Sequence, residues 1–288
     1  MSDIKTLSLA FSSCPNDTYI FHAIAAKLVD APGLDFEITL GDVETLNQAA
    51  AQTRFDVTKL SFAALGNLRE EYTLLRTGAA LGRGCGPLVV AKPETEILPN
   101  KKLRVAVPGF STTACLLFRF FLKERYPGID PELVAMPFET IMPSVINGES
   151  DLGVIIHEGR FVYQTMGLSC ITDLGAWWEE QTGLPIPLGC IAIKRGLGAE
   201  LATRVEDLIK RSILHANETP EAGRSYIKAH AQELDDRVIR EHINLYVNDF
   251  SSHMGREGEA AIRTFFQKAE QAGLMQSCDQ PLFACQGR

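Results

Sequence analysis

Short apolar strands alternate with helix-patterned segments from the N-terminus to about Arg195, and no other feature limits the fold as strongly. Thr6 to Phe11 form an apolar run that ends at SSCPND. Ile20, Phe21, Ile24 and Leu28 come next at helical spacing, with Asn16 or Asp17 as the N-cap expected from residue type. Leu34, Phe36, Ile38 and Leu40 then alternate with Asp35, Glu37 and Thr39, the period of a strand. Val57 to Leu60 reads as a short strand before the helix-prone SFAALGNL. Strand–helix alternation of this kind predicts an α/β fold with mainly parallel sheets flanked by helices.

Two apolar strands ending in lysine interrupt the series: Leu88 to Ala91 in GPLVVAK, and Ile191 to Ile193 in PLGCIAIKR. Between them runs a second series, with strands at Arg104 to Val107, Leu133 to Ala135, Leu152 to Ile156 and Cys170 to Asp173. From Ala199 to about Ala272 the pattern is almost purely helical. The expectation is a discontinuous first lobe, residues 1–91 and 192–288, carrying an inserted second lobe, residues 92–191. The paired strands would act as hinges, and ligands favour the cleft such an arrangement creates. Two unrelated tandem domains are the alternative.

The chain has 288 residues and a net charge of -8, with 45% hydrophobic and 22% charged residues, values of an ordinary globular protein. No basic face or Lys/Arg run offers a nucleic-acid footprint. No apolar stretch approaches the ~20 residues that span a bilayer, and the alternating N-terminus reads as a strand rather than a signal peptide. A cytoplasmic protein without nucleic-acid or membrane partners is expected, with room for a homodimer. The seven cysteines are odd in number and none has CxxC spacing, so reduced thiols are expected. Cys278 and Cys285 lie closest together but have no nearby His, which argues against zinc.

Several segments carry candidate chemistry. GRGCGP (Gly82 to Pro87) is followed by a strand, whereas a dinucleotide fingerprint needs a helix there, so it reads as a glycine-rich approach to the hinge. In VAVPGFSTTACLLFRFFL a strand ends at Val107, Pro108-Gly109 turns the chain, and Ser111 is the expected cap of a helix opened by Thr112. Unpaired amides and the positive dipole end favour an anion there, contacted by Thr112, Thr113 and Ala114; ordinary capping is the alternative. VTKLSFAAL repeats the pattern, placing Lys59, Leu60 and Ser61 at a strand's carboxyl end, where open α/β sheets bind ligands. Lys59 would meet a carboxylate with Ser61 beside it, unless both are merely solvated and capping residues. His157 directly follows an apolar strand, and an imidazole exchanges protons near neutral pH. His22 lies in the first helix, and His215, His230, His242 and His253 fall in the polar helical third. Trp177 and Trp178 fit either an aromatic ligand or packing. No GxSxG elbow is present, and nothing activates Cys14.

Taken together, SSCPNDTYIFHA, DVETLN, TKLSFAAL, GAALGRGCGPLVVAK, VAVPGFSTTA, GVIIHEGRF and DLGAWWEEQTGLPIPLG resemble the 1,4-dihydroxy-6-naphthoate synthases of the futalosine route to menaquinone. The matching stretches run to about Arg195, and Ser13 stands where the family pattern has proline. The resemblance implies a type II periplasmic-binding-protein-like fold used by an enzyme. It implies conversion of cyclic dehypoxanthinyl futalosine, a carboxylated small molecule, to 1,4-dihydroxy-6-naphthoate and dihydroxyacetone, with no cofactor and no metal. It implies His157 as general base, with substrate held by Lys59 to Ser61 and by Thr112, Thr113 and Ala114; Asn16 and Asp17 lie in a matching loop. Three rivals stand beside it: the sister enzyme chorismate dehydratase, an exported solute-binding protein, and a ligand-sensing regulator domain.

Overall fold

The computed structural model describes residues 4–97, 103–231 and 235–284; Cys285 lies outside them. In chain order the elements begin with β1 (Lys5–Ser12), α1 (Pro15–Ala25), β2 (Leu34–Gly41), α2 (Val43–Ala51), β3 (Val57–Ser61), α3 (Phe62–Asn67), β4 (Tyr72–Leu74) and β5 (Ala80–Gly82). Next come β6 (Leu88–Ala91), β7 (Arg104–Val107), α4 (Thr113–Arg125), β8 (Glu132–Ala135), α5 (Phe138–Asn147), β9 (Leu152–Ile155), α6 (Gly159–Val162), β10 (Ser169–Asp173) and α7 (Leu174–Thr182). After β11 (Ile186–Lys194) come only helices: α8 (Ala199–Glu218), α9 (Arg224–His230), α10 (Asp236–Tyr246), α11 (Asp249–Ser252) and α12 (Gly255–Gln271), with two short 3₁₀ turns beside α8.

The chain divides into two compact units, Met1–Gly82 with Pro187–Arg288, and Arg83–Ile186. These boundaries differ from the expected 91/92 and 191/192. Leu88–Ala91 pairs with β9 and β10, so it is a strand of the second unit's sheet rather than of the first lobe. Gly189 to Ile193 pair with β3 in the first unit. Each strand belongs with the sheet that supplies its hydrogen bonds.

In the first unit the sheet order is β2-β1-β3-β11-β4, with β5 on β11. β1 runs parallel to β2 and β3, while β11 runs against β3 and β4. Strand alternation explains the core. Leu7, Leu9 and Phe11 face α1 and α8, packing on Ile20, Phe21, Ile24, Val205, Leu208 and Ile209. Ala10, on the opposite face, packs with Leu46, Ala49 and Phe55. A strand buried on both sides needs a helix on each, and α2 supplies the second. Burying each large side chain contributes about 1.5–3 kcal/mol. The α1 helix stops at Ala25, so Leu28 lies beyond it and is exposed, contrary to the helical spacing read from the sequence.

In the second unit the order is β10-β6-β9-β7-β8. β7 is parallel to β8 and β9; β6 opposes β9 and β10. Its core joins Leu88, Val90, Ala106 and Ile155 to Ile141 and Val145 of α5. Parallel ladders thus join three strands in each sheet, and the reversed strands are β11 and β6; their outer neighbours β4 and β10 turn back to the direction of the parallel strands. Among the described residues, no helix is long and apolar enough to cross a membrane.

Gly86 and Gly175 approach so closely that a Cβ on either would overlap the other's backbone. Gly86→Ala is therefore expected to cost about 1–3 kcal/mol of stability, read as a lower urea midpoint for the variant than for the wild-type protein.

Candidate active site

Parallel neighbours end at the same edge of their sheet. In the first unit β1 and β3 run together, with Leu9 opposite Val57 and Ala10 opposite Thr58. Ser12 and the start of α1 therefore lie beside Lys59 and Ser61. The cap of α1 is Cys14, with Pro15 opening the helix, so neither Asn16 nor Asp17 caps it. Proline suits a first helical position because it lacks the N–H that would be orphaned there.

Asn16 and Asp17 instead fall in the first turn, where they build a buried polar chain. The Lys59 ammonium donates to Asp17 Oδ1, with the two side chains only 6% and 0% exposed. Asp17 Oδ1 also accepts from Asn16 Nδ2 at 2.8 Å. Its Oδ2 accepts from the Ser12 amide at 3.1 Å and hydroxyl at 2.7 Å. Asn16 Oδ1 lies 2.8 Å from Nε2 of His242, and with the amide oxygen as acceptor the imidazole is the donor. Beside this chain, Asn47 Nδ2 donates to Ser61 Oγ at 3.0 Å, and Asn47 Oδ1 accepts the Ser61 amide at 2.9 Å. Since Ser61 Oγ is the acceptor in that bond, its own proton remains a donor. Leu60 is fully buried with Cys190 opposite it, so any part it takes runs through its main chain.

Sequence reasoning missed His242 and Asn47. His242 shares one face of α10 with the buried Val238, Ile239 and Tyr246, and a histidine on an apolar helical stripe was the available signal. Asn47 sits on the buried side of α2 next to Leu46 and Ala50.

In the second unit β8, β7 and β9 lie side by side and parallel. Phe138, Thr112 and His157 come after their carboxyl ends in that order. Thr112, not Ser111, is the cap of α4. Its hydroxyl accepts from the Cys115 amide at 3.2 Å and donates to the Gly109 carbonyl at 2.7 Å, so it is fully engaged in the turn. The Leu116 amide is taken by the Thr112 carbonyl at 3.1 Å. The Ala114 amide has no acceptor among the described residues, as expected for a first-turn position.

His157 is half-buried and follows β9 after one intervening residue. Its φ of 57° puts it in the left-handed region, where a residue with a Cβ is strained by about 1–2 kcal/mol. The Phe138 ring meets the imidazole edge-on at 5.6 Å.

The remaining candidates separate cleanly. Trp178 is buried and its indole donates to the Pro185 carbonyl at 3.1 Å, a packing role. Trp177 is also buried, edge-on to Phe121 at 5.9 Å. Burial pushes the Cys85 thiol up to about 12 and raises Cys190 further, so neither carries a thiolate at neutral pH. Among the described residues no cluster of His, Cys, Asp or Glu has the makings of a metal site.

Removing one partner of a buried ion pair leaves a charge without compensation. Asp17→Asn is expected to lower stability by about 3–5 kcal/mol, measured by urea unfolding. The double variant D17L/K59M, which removes both charges, should lose clearly less than Asp17→Asn.

The menaquinone biosynthesis family model matches residues 7–271. A protein of Thermus thermophilus named 1,4-dihydroxy-6-naphthoate synthase is 46% identical over 97% of this chain and 100% of its own length. A protein of the same name from Streptomyces coelicolor is 45% identical over 94% of this chain and 95% of its own. A crystal structure from Archaeoglobus fulgidus superposes with a TM-score of 0.86 at 35% identity, covering 94% of this chain and 98% of the other. More distantly, the periplasmic aliphatic sulphonate binding protein of Escherichia coli shares the fold, with a TM-score of 0.68 at 11% identity over 98% of this chain and 92% of its own. The architecture is that of periplasmic binding proteins, and the sequence match along both units shows that this chain belongs to the menaquinone biosynthesis family.

Proposed function

We propose that the protein is a carbon–carbon lyase, a 1,4-dihydroxy-6-naphthoate synthase acting in the cytoplasm on cyclic dehypoxanthinyl futalosine. The near full-length likeness to two enzymes of that name carries the proposal. The placement of His157 at the carboxyl end of β9 supports the chemistry assigned to it.

In this scheme the His157 imidazole accepts the proton of a sugar-derived hydroxyl. The O–H electron pair forms a carbonyl as the adjacent carbon–carbon bond breaks in a retro-aldol sense. The electrons of that bond pass to a ketone within the substrate, and a proton completes the enol. Dihydroxyacetone leaves, and aromatisation of the naphthalene drives the step. Because the electron sink belongs to the substrate, the scheme calls on neither a metal nor a redox cofactor.

Electrostatics divides the binding work. Lys59 is already neutralised by Asp17, so it presents a dipolar pair rather than a bare cation. The start of α4 carries about half a positive charge and the Ala114 amide, so the turn that Thr112 caps and Thr113 and Ala114 open is the better seat for the substrate carboxylate, with Thr112 serving through the turn it organises. Ser61 donates its hydroxyl proton to a neutral substrate oxygen, with Lys59 and the Leu60 main chain beside it. Fixing the reacting geometry in this way is where binding residues assist a unimolecular cleavage.

Incubating the purified protein with cyclic dehypoxanthinyl futalosine should yield naphthoate by chromatography, and parallel incubation with chorismate should yield nothing. Dehydration of chorismate without naphthoate formation would reassign the protein to the sister activity. His157→Asn should reduce turnover by about 10²–10⁴-fold and leave substrate binding measurable by calorimetry. Near-normal turnover by that variant removes His157 from the mechanism.

A further inference from the structure

After Gly82 ends β5, the rest of the GRGCGP segment, Arg83 to Pro87, forms the loop to β6, and a residue three positions after His157 reaches it. The Arg160 guanidinium donates to the Gly86 carbonyl, to the Gly84 carbonyl at 3.1 Å and to Asp173 Oδ2 at 2.8 Å. Its main-chain amide donates to the His157 carbonyl at 3.1 Å. One residue thus ties the turn that carries the imidazole to the glycine loop and to the N-terminus of α7.

Each acceptor is itself held. Asp173 Oδ1 caps α7 by accepting from the amides of Gly175 at 2.8 Å and Ala176 at 3.1 Å, which leaves Oδ2 facing Arg160. The Gly84 amide donates to Glu179 Oε1 at 2.8 Å. Gly86 is pressed against Gly175 at the start of α7.

We propose that Arg160 is a positioning residue for His157, holding the imidazole in its left-handed backbone conformation by clamping the following turn to the GRGCGP loop and Asp173. The inference rests on the reading of His157 as general base. Two observations favour a clamp. A φ of 57° at a residue with a Cβ persists only where its surroundings over-determine it. The next helix, α6, is four residues long, too short to hold the turn by its own hydrogen bonds. Arginine suits the task because its planar fork reaches three oxygens at fixed angles; a lysine ammonium on a flexible stem does not. The three protein acceptors and its main-chain bond to His157 direct Arg160 to this turn rather than to a ligand.

The test uses the full chain and the synthase reaction, comparing Arg160→Ala, Arg160→Lys, Asp173→Asn and His157→Asn with wild type. Displacement of a reacting group by about an ångström is worth roughly 10²-fold in rate, so R160A is expected to lose about that factor in kcat. KM should change little, because substrate contacts are untouched. R160K should recover little, and millimolar guanidinium added to R160A should restore part of kcat, a response that a general loss of folding does not give. D173N keeps an oxygen for the α7 cap and should lower kcat in the same sense, which keeps the inference open to test if R160A fails to fold. Wild-type kcat in folded R160A or D173N, with H157N inactive, would overturn the positioning role and spare the base. An increase in KM alone would also overturn it, by making Arg160 a binding residue. Full activity in H157N would remove the base, and the clamp's purpose with it.

Discussion

Parallel pairing sets the chemistry of both units. Two strands hydrogen-bonded in the same direction finish at the same edge, and the residues after each strand are delivered there whatever their distance in sequence. β1 beside β3 brings Asp17 to Lys59, 42 positions apart. β8, β7 and β9 in a row bring Phe138, Thr112 and His157 to one edge of the second sheet. The reversed strands β6 and β11 carry no candidate side chain, and their role is to extend the sheet on one side of the parallel core.

The units treat buried polarity in different ways. In the first, charge is closed on itself: Lys59, Asp17, Asn16, Ser12 and His242 form a continuous hydrogen-bonded chain away from water. Such a pair is worth little to stability compared with apolar packing, because desolvation offsets most of the attraction. Its value on the proposed reading is geometric, since it fixes Lys59 and the neighbouring strand end. In the second unit polarity at the same kind of edge stays available. The Thr112 hydroxyl is consumed by the turn, yet that very use organises the helix start and leaves the Ala114 amide as a donor.

Much of this was legible. The period-two pattern of β2, the apolar runs of β1, β3, β7 and β9, and the purely helical third all carry their signals in adjacent residues. The misses share a cause. Tyr72–Leu74 and Ala80–Gly82 are three-residue strands, shorter than a periodicity needs to declare itself. The unit boundaries were misplaced because GPLVVAK and PLGCIAIKR look alike, whereas membership is decided by hydrogen-bonding partners remote in sequence. His242 meets Asn16 across 226 positions, and no local pattern encodes that meeting. The cap of α1 moved to Cys14 because Pro15 opens the helix, a backbone preference that outweighs the side-chain capping ability of Asn16 or Asp17.

The strained backbone of His157 shows how much a sheet edge can demand of the chain around it. A histidine placed one residue past a β-strand in an ordinary extended conformation would continue the alternation of the sheet, presenting its ring to one face or the other. A left-handed residue breaks that alternation and turns the chain sharply into α6. The strain is local, but its surroundings are not: Phe138, which opens α5 after β8, packs on the ring, and Arg160 joins the turn to a loop 74 positions earlier in the chain. A binding site needs only that complementary groups face the ligand. A general base, as His157 is on the proposed reading, must in addition keep one nitrogen within hydrogen-bond reach of one proton, and the sheet, the Phe138 ring and the Arg160 guanidinium all meet the turn that carries it.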